Sequence, residues 1–235
     1  MFNKKKNKKF EEKEPFFRKI LNFIVLKPLF KWVFKVEIKG IENIPEMGVP
    51  AIVAGNHVGS FDAASLIEKI PRHVFYMGKK ELEKNPFGRF AIRNYGIITV
   101  DRMHVGTGTF KELEDKIQEG RLIGIYPEGT KRGILKGKKL KNGAVSFSIN
   151  QNVPIIPVAF KPDFKPFRKN YIHIGRPINF SKLVKENENE INKKVLEKYT
   201  NYLMDNIIKL LEKEDQKKYY EAIAKRNNIL ENNLN

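Results

Sequence analysis

His57 and Asp62 stand five positions apart in the stretch Asn56-His57-Val58-Gly59-Ser60-Phe61-Asp62. An imidazole is the one side chain in it that exchanges a proton near neutral pH without a large pKa shift. If the chain turns from a strand into a helix here, the carboxylate can fold back and accept a hydrogen bond from one imidazole nitrogen. That bond fixes the tautomer and leaves the other nitrogen free as a base, worth about 10²–10⁴ in rate when a substrate hydroxyl lies within reach. The chemistry that suits the pair is activation of an alcohol. A plainer reading competes with it: Asp62 favours a helix N-terminus and His57 is a loop residue bonded to backbone, and for an isolated His-x-x-x-x-Asp this is the commoner case. Ser60 between them invites a triad, but no Gly-x-Ser-x-Gly elbow surrounds it and a serine there serves equally as a helix cap.

The elements that must position this pair follow from the hydrophobic pattern. Ala51 to Ala54 is a short apolar run that reads as a buried strand, and Ala63 to Ile67 reads as the opening of a helix. His57 is thereby placed at a strand's carboxyl end, where open α/β sheets carry their sites. Further strands are expected at Val36–Ile38, Val74–Met77, Gly96–Val100, Leu122–Tyr126, Val153–Phe160 and Tyr171–Ile174, with the prolines of Val153–Phe160 favouring an edge or a strand end. Residues 109–119 form a polar helix closed by Gly120. From about Glu190 the chain is helical, with Val195, Tyr199, Tyr202, Leu203, Ile207 and Leu210 as its packed stripe and an Asn-rich end that frays from Asn227. The fold class is α/β: one domain with a mostly parallel central sheet flanked by helices, preceded by an N-terminal amphipathic helix pair. If the strands are parallel neighbours, Lys79, Arg102, Thr130 and Lys131 gather on one rim beside His57, and clustered cations with glycine-freed backbone N–H groups are what a phosphate requires. Any one of them alone is a solvated loop cation.

The 235 residues carry 45 Lys+Arg against 27 Asp+Glu, a formal net charge of +18, so the chain is attracted to polyanions. It has no cysteine, which excludes disulfides and thiolate metal sites. His73 and His104 have no partner at metal-ligand spacing, and His173 sits in a strand alternation where a packed or rim histidine is expected; no metal is assigned. Residues 1–14 read as a charged, basic, disordered tail. In residues 15–35, Phe16, Phe17, Ile20, Phe23 and Ile24 share a wide apolar face opposite Arg18, Lys19 and Asn22, and Pro28 is expected to break the helix before a second one bearing Trp32, Lys31 and Lys35. Charges interrupt the run too often for a bilayer span. Aromatic bulk edged with Lys/Arg beside a polybasic tail fits a helix pair lying in a membrane interface; an ordinary helical hairpin over the core fits as well.

Taken together, Asn56-His57 with Asp62, Lys79 through Leu82 with Pro86 and Gly88, Gly96-Ile97-Ile98-Thr99-Val100-Asp101-Arg102, Pro127-Glu128-Gly129-Thr130, and Val153-Pro154-Ile155-Ile156-Pro157-Val158 resemble, in order and spacing, the glycerolipid acyltransferase family, and most closely its 1-acyl-sn-glycerol-3-phosphate acyltransferases. The resemblance implies that His57 deprotonates the acceptor's 2-hydroxyl, that Asp62 orients it, and that the alkoxide attacks a thioester directly. It implies that Arg102 and the loop Glu128, Gly129, Thr130 hold the acceptor's phosphate, with Lys79 a supporting cation and Glu128 orienting a neighbouring cation or the loop backbone. Where the family has arginine after this loop, the chain has Lys131 followed by Arg132, and either can serve. No bound cofactor is implied; the donor is acyl-coenzyme A or acyl carrier protein, the other partners a lysophospholipid acceptor and an anionic membrane surface. Residues 36–235 are then the acyltransferase domain with its C-terminal helix, held monotopically on the cytoplasmic face of a membrane through residues 15–35. Alternatives are acylation of glycerol 3-phosphate or another lysophospholipid, or a non-enzymatic basic protein binding lipid or nucleic acid. Nucleic acid is not expected, since no RNA-binding or helix-turn-helix signature is present.

Overall fold

The computed structural model describes residues 16–100 and 106–232. After α1 (Phe16–Leu21) the chain runs through β1 (Val36–Lys39), β2 (Ala51–Gly55), α2 (Asp62–Lys69), β3 (Val74–Lys79), α3 (Pro86–Tyr95), β4 (Ile98–Val100), α4 (Thr107–Gln118), β5 (Leu122–Ile125), α5 (Gly143–Gln151), β6 (Ile155–Phe160), β7 (Asn170–Ile174), α6 (Phe180–Asn187), α7 (Lys193–Lys209) and α8 (Lys213–Asn232). The strands form one seven-stranded sheet in the order β1-β7-β6-β2-β5-β3-β4. All pairs are parallel except β6 with β7, so β2 to β6 point one way and β1 and β7 the other. The carboxyl ends of β2, β3, β4, β5 and β6 consequently lie along a single edge, which is what a rim of cations beside His57 requires.

β2 lies at the centre and is buried along its whole length, as the unbroken apolar run predicts for a parallel strand covered on both faces. Its alternation divides two cores. Ile52 and Ala54 join side chains of α4, α5, α6, α7 and α8 on one face. Ala51 and Val53 join Leu66, Ile67 and Ile70 from α2 and its end, and Phe30 and Phe34, on the other. On the opposite edge from the site, the buried Arg72 guanidinium donates to the carbonyls of Pro45, Glu46, Val49 and Gly120 and fastens the loop entering β2 to the one entering β5.

β6 is an interior strand between β2 and β7, not an edge. Its proline is tolerated because a strand residue's N–H and C=O face the same flank. The Pro157 carbonyl accepts from Gly175 N–H at 2.8 Å, just past the last β6–β7 pair, Val158 with Ile174, so the missing N–H falls where that ladder ends.

The expected break at Pro28 is also absent. α1 continues through wider turns at Asn22–Leu26 and Leu29–Val33, and Pro28 itself has φ −62 and ψ −42. Lys27 N–H bonds back to Asn22 O and Phe34 N–H to Leu29 O, both five residues away. Wide turns flank the proline, whose fixed φ is already helical, so the two amphipathic stretches form one helical segment. No helix of the described residues is long and apolar enough to cross a membrane. At the other end, the expected C-terminal helix divides into α7 and α8. Tyr202 points outward while Thr200, Met204 and Ile208 join the packed face, and α8 stays helical through Asn232. The expected tail, residues 1–14, lies outside the described residues.

Candidate active site

The turn after β2 is set by Asn56, whose buried amide donates to Phe160 O at 2.8 Å and accepts from Phe160 N–H at 2.7 Å. The same amide donates to the Tyr219 hydroxyl of α8 at 3.1 Å. With Asn56 committed to one face of the sheet, alternation sends His57 to the other, the face covered by α2 and the N-terminal segment.

His57 Nδ1 lies 2.8 Å from Asp62 Oδ2. Asp62 opens α2 and is 2% exposed; it also accepts from Val58 N–H at 2.8 Å and from Gly59 N–H at 3.0 Å. The Nδ1–Asp62 bond of the one reading and the helix-start placement of the other occur together. Asp62 sits at the helix start and gathers the orphan N–H groups of the turn, and in doing so aims one oxygen at the imidazole. A carboxylate only accepts, so Nδ1 carries the proton and Nε2 has a free lone pair. Among the described residues Nε2 has no hydrogen-bond partner, and the side chain is 17% exposed. Ser60 is not the cap of α2, which Phe61 precedes; its hydroxyl accepts from Lys131 Nζ at 2.6 Å.

The loop after β5, the strand beside β2, grips His57 by its backbone. Glu128, 2% exposed, accepts His57 N–H at 2.9 Å with one oxygen and Ile134 N–H at 2.8 Å with the other. Arg132 N–H donates to His57 O at 2.5 Å. Burial pushes the Glu128 carboxyl above its usual value, opposed by the bonds from Ile134, His57 and Gly133. The tuck depends on Gly133, where a Cβ would come within 2.8 Å of Glu128 O. Gly129 makes the turn at φ +62, and Thr130 O accepts from Gly133 N–H at 3.2 Å.

Tyr126 stacks on the imidazole with centroids 4.2 Å apart and planes 14° from parallel. Burial, with Tyr76 and Asp62 beside it, holds its hydroxyl well above the tyrosine range, so the plate stays neutral. This residue was missed in the sequence because its only signal is position, one residue before Pro127, and that signal needs the β2–β5 pairing to be read. Phe61 is likewise unforeseen: its ring lies 5.3 Å from Phe34 and 6.2 Å from Phe30, tying the His57–Asp62 loop to the N-terminal segment.

Of the expected cations, Lys131 stands over the His57–Asp62 turn through Ser60. The Arg132 side chain turns away, with Nη2 3.4 Å from Pro162 O. Lys79 ends β3, two strands from β2 and so roughly 10 Å across the same edge. Arg102 lies outside the described residues. His173 is a rim histidine, with Nδ1 2.7 Å from Leu210 O and its ring on Tyr171. Among the described residues no cluster of three His, Cys, Asp or Glu side chains could hold a metal.

This sheet edge, with an oriented histidine and neighbouring cations, belongs to a known class. The family model described as Acyltransferase matches residues 35–161, and the chain belongs to that family. A 1-acyl-sn-glycerol-3-phosphate acyltransferase of Borreliella burgdorferi is 28% identical over 82% of this chain and 80% of its own length. One of Bacillus subtilis is 30% identical over 61% of this chain and 74% of its own. Among solved structures, the 1-acyl-sn-glycerophosphate (LPA) acyltransferase PlsC of Thermotoga maritima superposes with a TM-score of 0.57 over 79% of this chain and 76% of that chain, at 23% identity, and shows the same fold.

Proposed function

We propose that the protein transfers a fatty acyl group from an acyl thioester to the 2-hydroxyl of 1-acyl-sn-glycerol 3-phosphate, giving phosphatidic acid for phospholipid synthesis. The observation that carries this reading is the His57 ring, tied to Asp62 through Nδ1, with Nε2 open at the carboxyl edge of the sheet. The names of the two bacterial relatives, each covered over most of its length, support the same acceptor.

In this mechanism Nε2 takes the hydroxyl proton as the oxygen attacks the thioester carbonyl. Asp62 stabilises the imidazolium that forms. Collapse of the tetrahedral intermediate breaks the C–S bond, and the imidazolium returns the proton to the departing sulfur, so the residues end as they began. A thioester is already activated, and positioning two amphiphiles can supply roughly 7–11 kcal/mol. Lys131 is the cation best placed for the acceptor phosphate, in the loop with Gly129 and Thr130; Lys79 and, by the family resemblance, Arg102 complete the set, and Arg132 joins it only by swinging off the Pro162 carbonyl. Glu128 acts through His57, whose backbone it holds. The donor's carrier is coenzyme A or acyl carrier protein, both acidic and complementary to a chain of +18.

The amphipathic segment supplies access to a lipid acceptor. Phe23 and Trp32 are each 70% exposed, with Ile24 and Val25 also outward, while Phe30 and Phe34 anchor the segment to the core. We place this segment in the interface of an anionic membrane on its cytoplasmic face. Purified protein given labelled acyl thioester and the lysophospholipid is expected to form phosphatidic acid, and His57→Ala to stop it. Full transfer by that variant would end the proposal.

A further inference from the structure

Phe167 sits in the loop between β6 and β7 at φ +61, a left-handed conformation rarely held by a bulky residue, and is 74% exposed. A large apolar side chain that is 74% exposed gains little from burial within the chain to offset the strain of its backbone. The loop around it is nonetheless firmly built. The buried Asn170 amide reaches Phe34 O at 2.5 Å, Lys165 O at 2.8 Å and Arg168 O at 3.1 Å, and accepts Lys165 N–H at 3.1 Å. Phe164 stacks on Phe34 with centroids 5.2 Å apart. Phe167 N–H itself donates to Val33 O at 2.5 Å, next to the exposed Trp32. The loop is thus riveted to the end of the amphipathic segment, and Lys165 and Arg168 flank the phenylalanine at the surface, with Lys169 paired to Glu37 at 3.7 Å.

We propose that this loop is a second membrane contact, in which Phe167 enters the interface of an anionic bilayer beside Trp32 while Lys165 and Arg168 meet the headgroups. An apolar tip flanked by cations, continuous with an amphipathic helix, is complementary to that surface. A contact from a separate loop, riveted to the end of the helix that leads to the Phe34–Phe61 packing, adds a second point that holds the His57 edge against the lipid. The proposal rests on the interfacial reading of the N-terminal segment.

The test is vesicle co-sedimentation of the full chain with equal parts phosphatidylcholine and phosphatidylglycerol, alongside thermal melting. Phe167→Gly is expected to bind about ten-fold more weakly yet to melt no lower, because glycine accepts the positive φ. A residue that served only the fold would lose stability and leave partitioning unchanged. The double variant K165E/R168E is expected to lose binding to the mixed vesicles and to change little on phosphatidylcholine alone. If Phe167→Gly partitions like the parent while Trp32→Ser does not, the second contact is overturned and the helix reading stands; if neither variant loses binding, the interfacial reading falls as well.

Discussion

On its Nδ1 side the His57 ring is enclosed by bonds; its Nε2 is unbonded among the described residues, on a sheet edge whose cations make few contacts there. Asp62 accepts from the His57 ring and from Val58 and Gly59 N–H, Glu128 accepts from His57 and Ile134 N–H, and both carboxylates are 2% exposed. Among the described residues, Lys131 bonds to a serine hydroxyl and the Arg132 guanidinium makes a single long contact. On the proposed mechanism, the half that handles the proton must be fixed before substrate arrives, because a small displacement of a base costs rate steeply. On the same proposal, the cationic half must accommodate a headgroup carried by a fluid lipid, and exposed side chains can adjust at little cost. The boundary between the halves should be visible as a split between kcat and KM.

Asp62→Asn tests the enclosed half most directly. The amide would place an NH₂ group against one of the N–H donors at Nδ1, Val58 or Gly59, so the ring loses its orientation and the stabilisation of its charged form. The expected loss in kcat is about 10²–10³, somewhat less than for His57→Ala, with KM for the acceptor within about two-fold. Steady-state kinetics on both substrates reads this. A fall in KM-linked binding alone would move Asp62 to the other side of the boundary.

That Asp62 could be named from sequence and Tyr126 could not shows what a one-dimensional pattern carries. His57 and Asp62 are local: a turn between strand and helix brings residues five apart together in almost any α/β context, and the apolar runs that make β2 and α2 are strong. That the ends of β2 to β6 share one edge was legible for the same reason, since it needs only that successive strands be parallel. What lay beyond reading was strand order. β5 lies between β2 and β3, which puts Tyr126 and Glu128 against His57 and moves Lys79 two strands away. β6 in the interior, despite Pro157, and the unbroken helix through Pro28 depended on where a missing N–H would have pointed, a tertiary fact. Asn170 and Phe167 carried no signal, because a loop's polar and aromatic residues acquire meaning from what they touch.

Glu128→Gln probes the join between the halves. Glutamine offers one acceptor where two backbone donors wait, so either His57 N–H or Ile134 N–H is left unpaired, at about 1–3 kcal/mol. The expected outcome is a melting temperature lowered accordingly and kcat down about ten-fold, with KM nearly unchanged. The pH dependence has a definite sign. Burial holds the folded Glu128 carboxyl above 4.5, so the folded state keeps this proton to higher pH than the unfolded chain does. Stability from this group is greatest below 4.5 and declines as pH rises through the raised value. Gln does not titrate, so that part of the slope should vanish from the variant's stability profile measured by denaturant unfolding.

Lys131→Ala is the smallest effect and the one that most sharpens the contrast. Its ammonium is exposed, so removal leaves no buried partner stranded and the melting temperature should stay within about a degree or two. What is lost is one charge-assisted bond to phosphate, expected as a rise of about ten-fold in KM for the acceptor, with kcat within about three-fold and KM for the thioester unchanged. Salt should mimic it, raising the parent's acceptor KM more than the variant's, because screening acts on exposed charges. Arg132→Ala should do less, since its guanidinium already leans on the Pro162 carbonyl and its backbone bond to His57 survives the substitution. Were Lys131→Ala to depress kcat as deeply as Asp62→Asn does, the Lys131–Ser60 contact would have to be counted with the enclosed half, as a strut for the turn that carries the base.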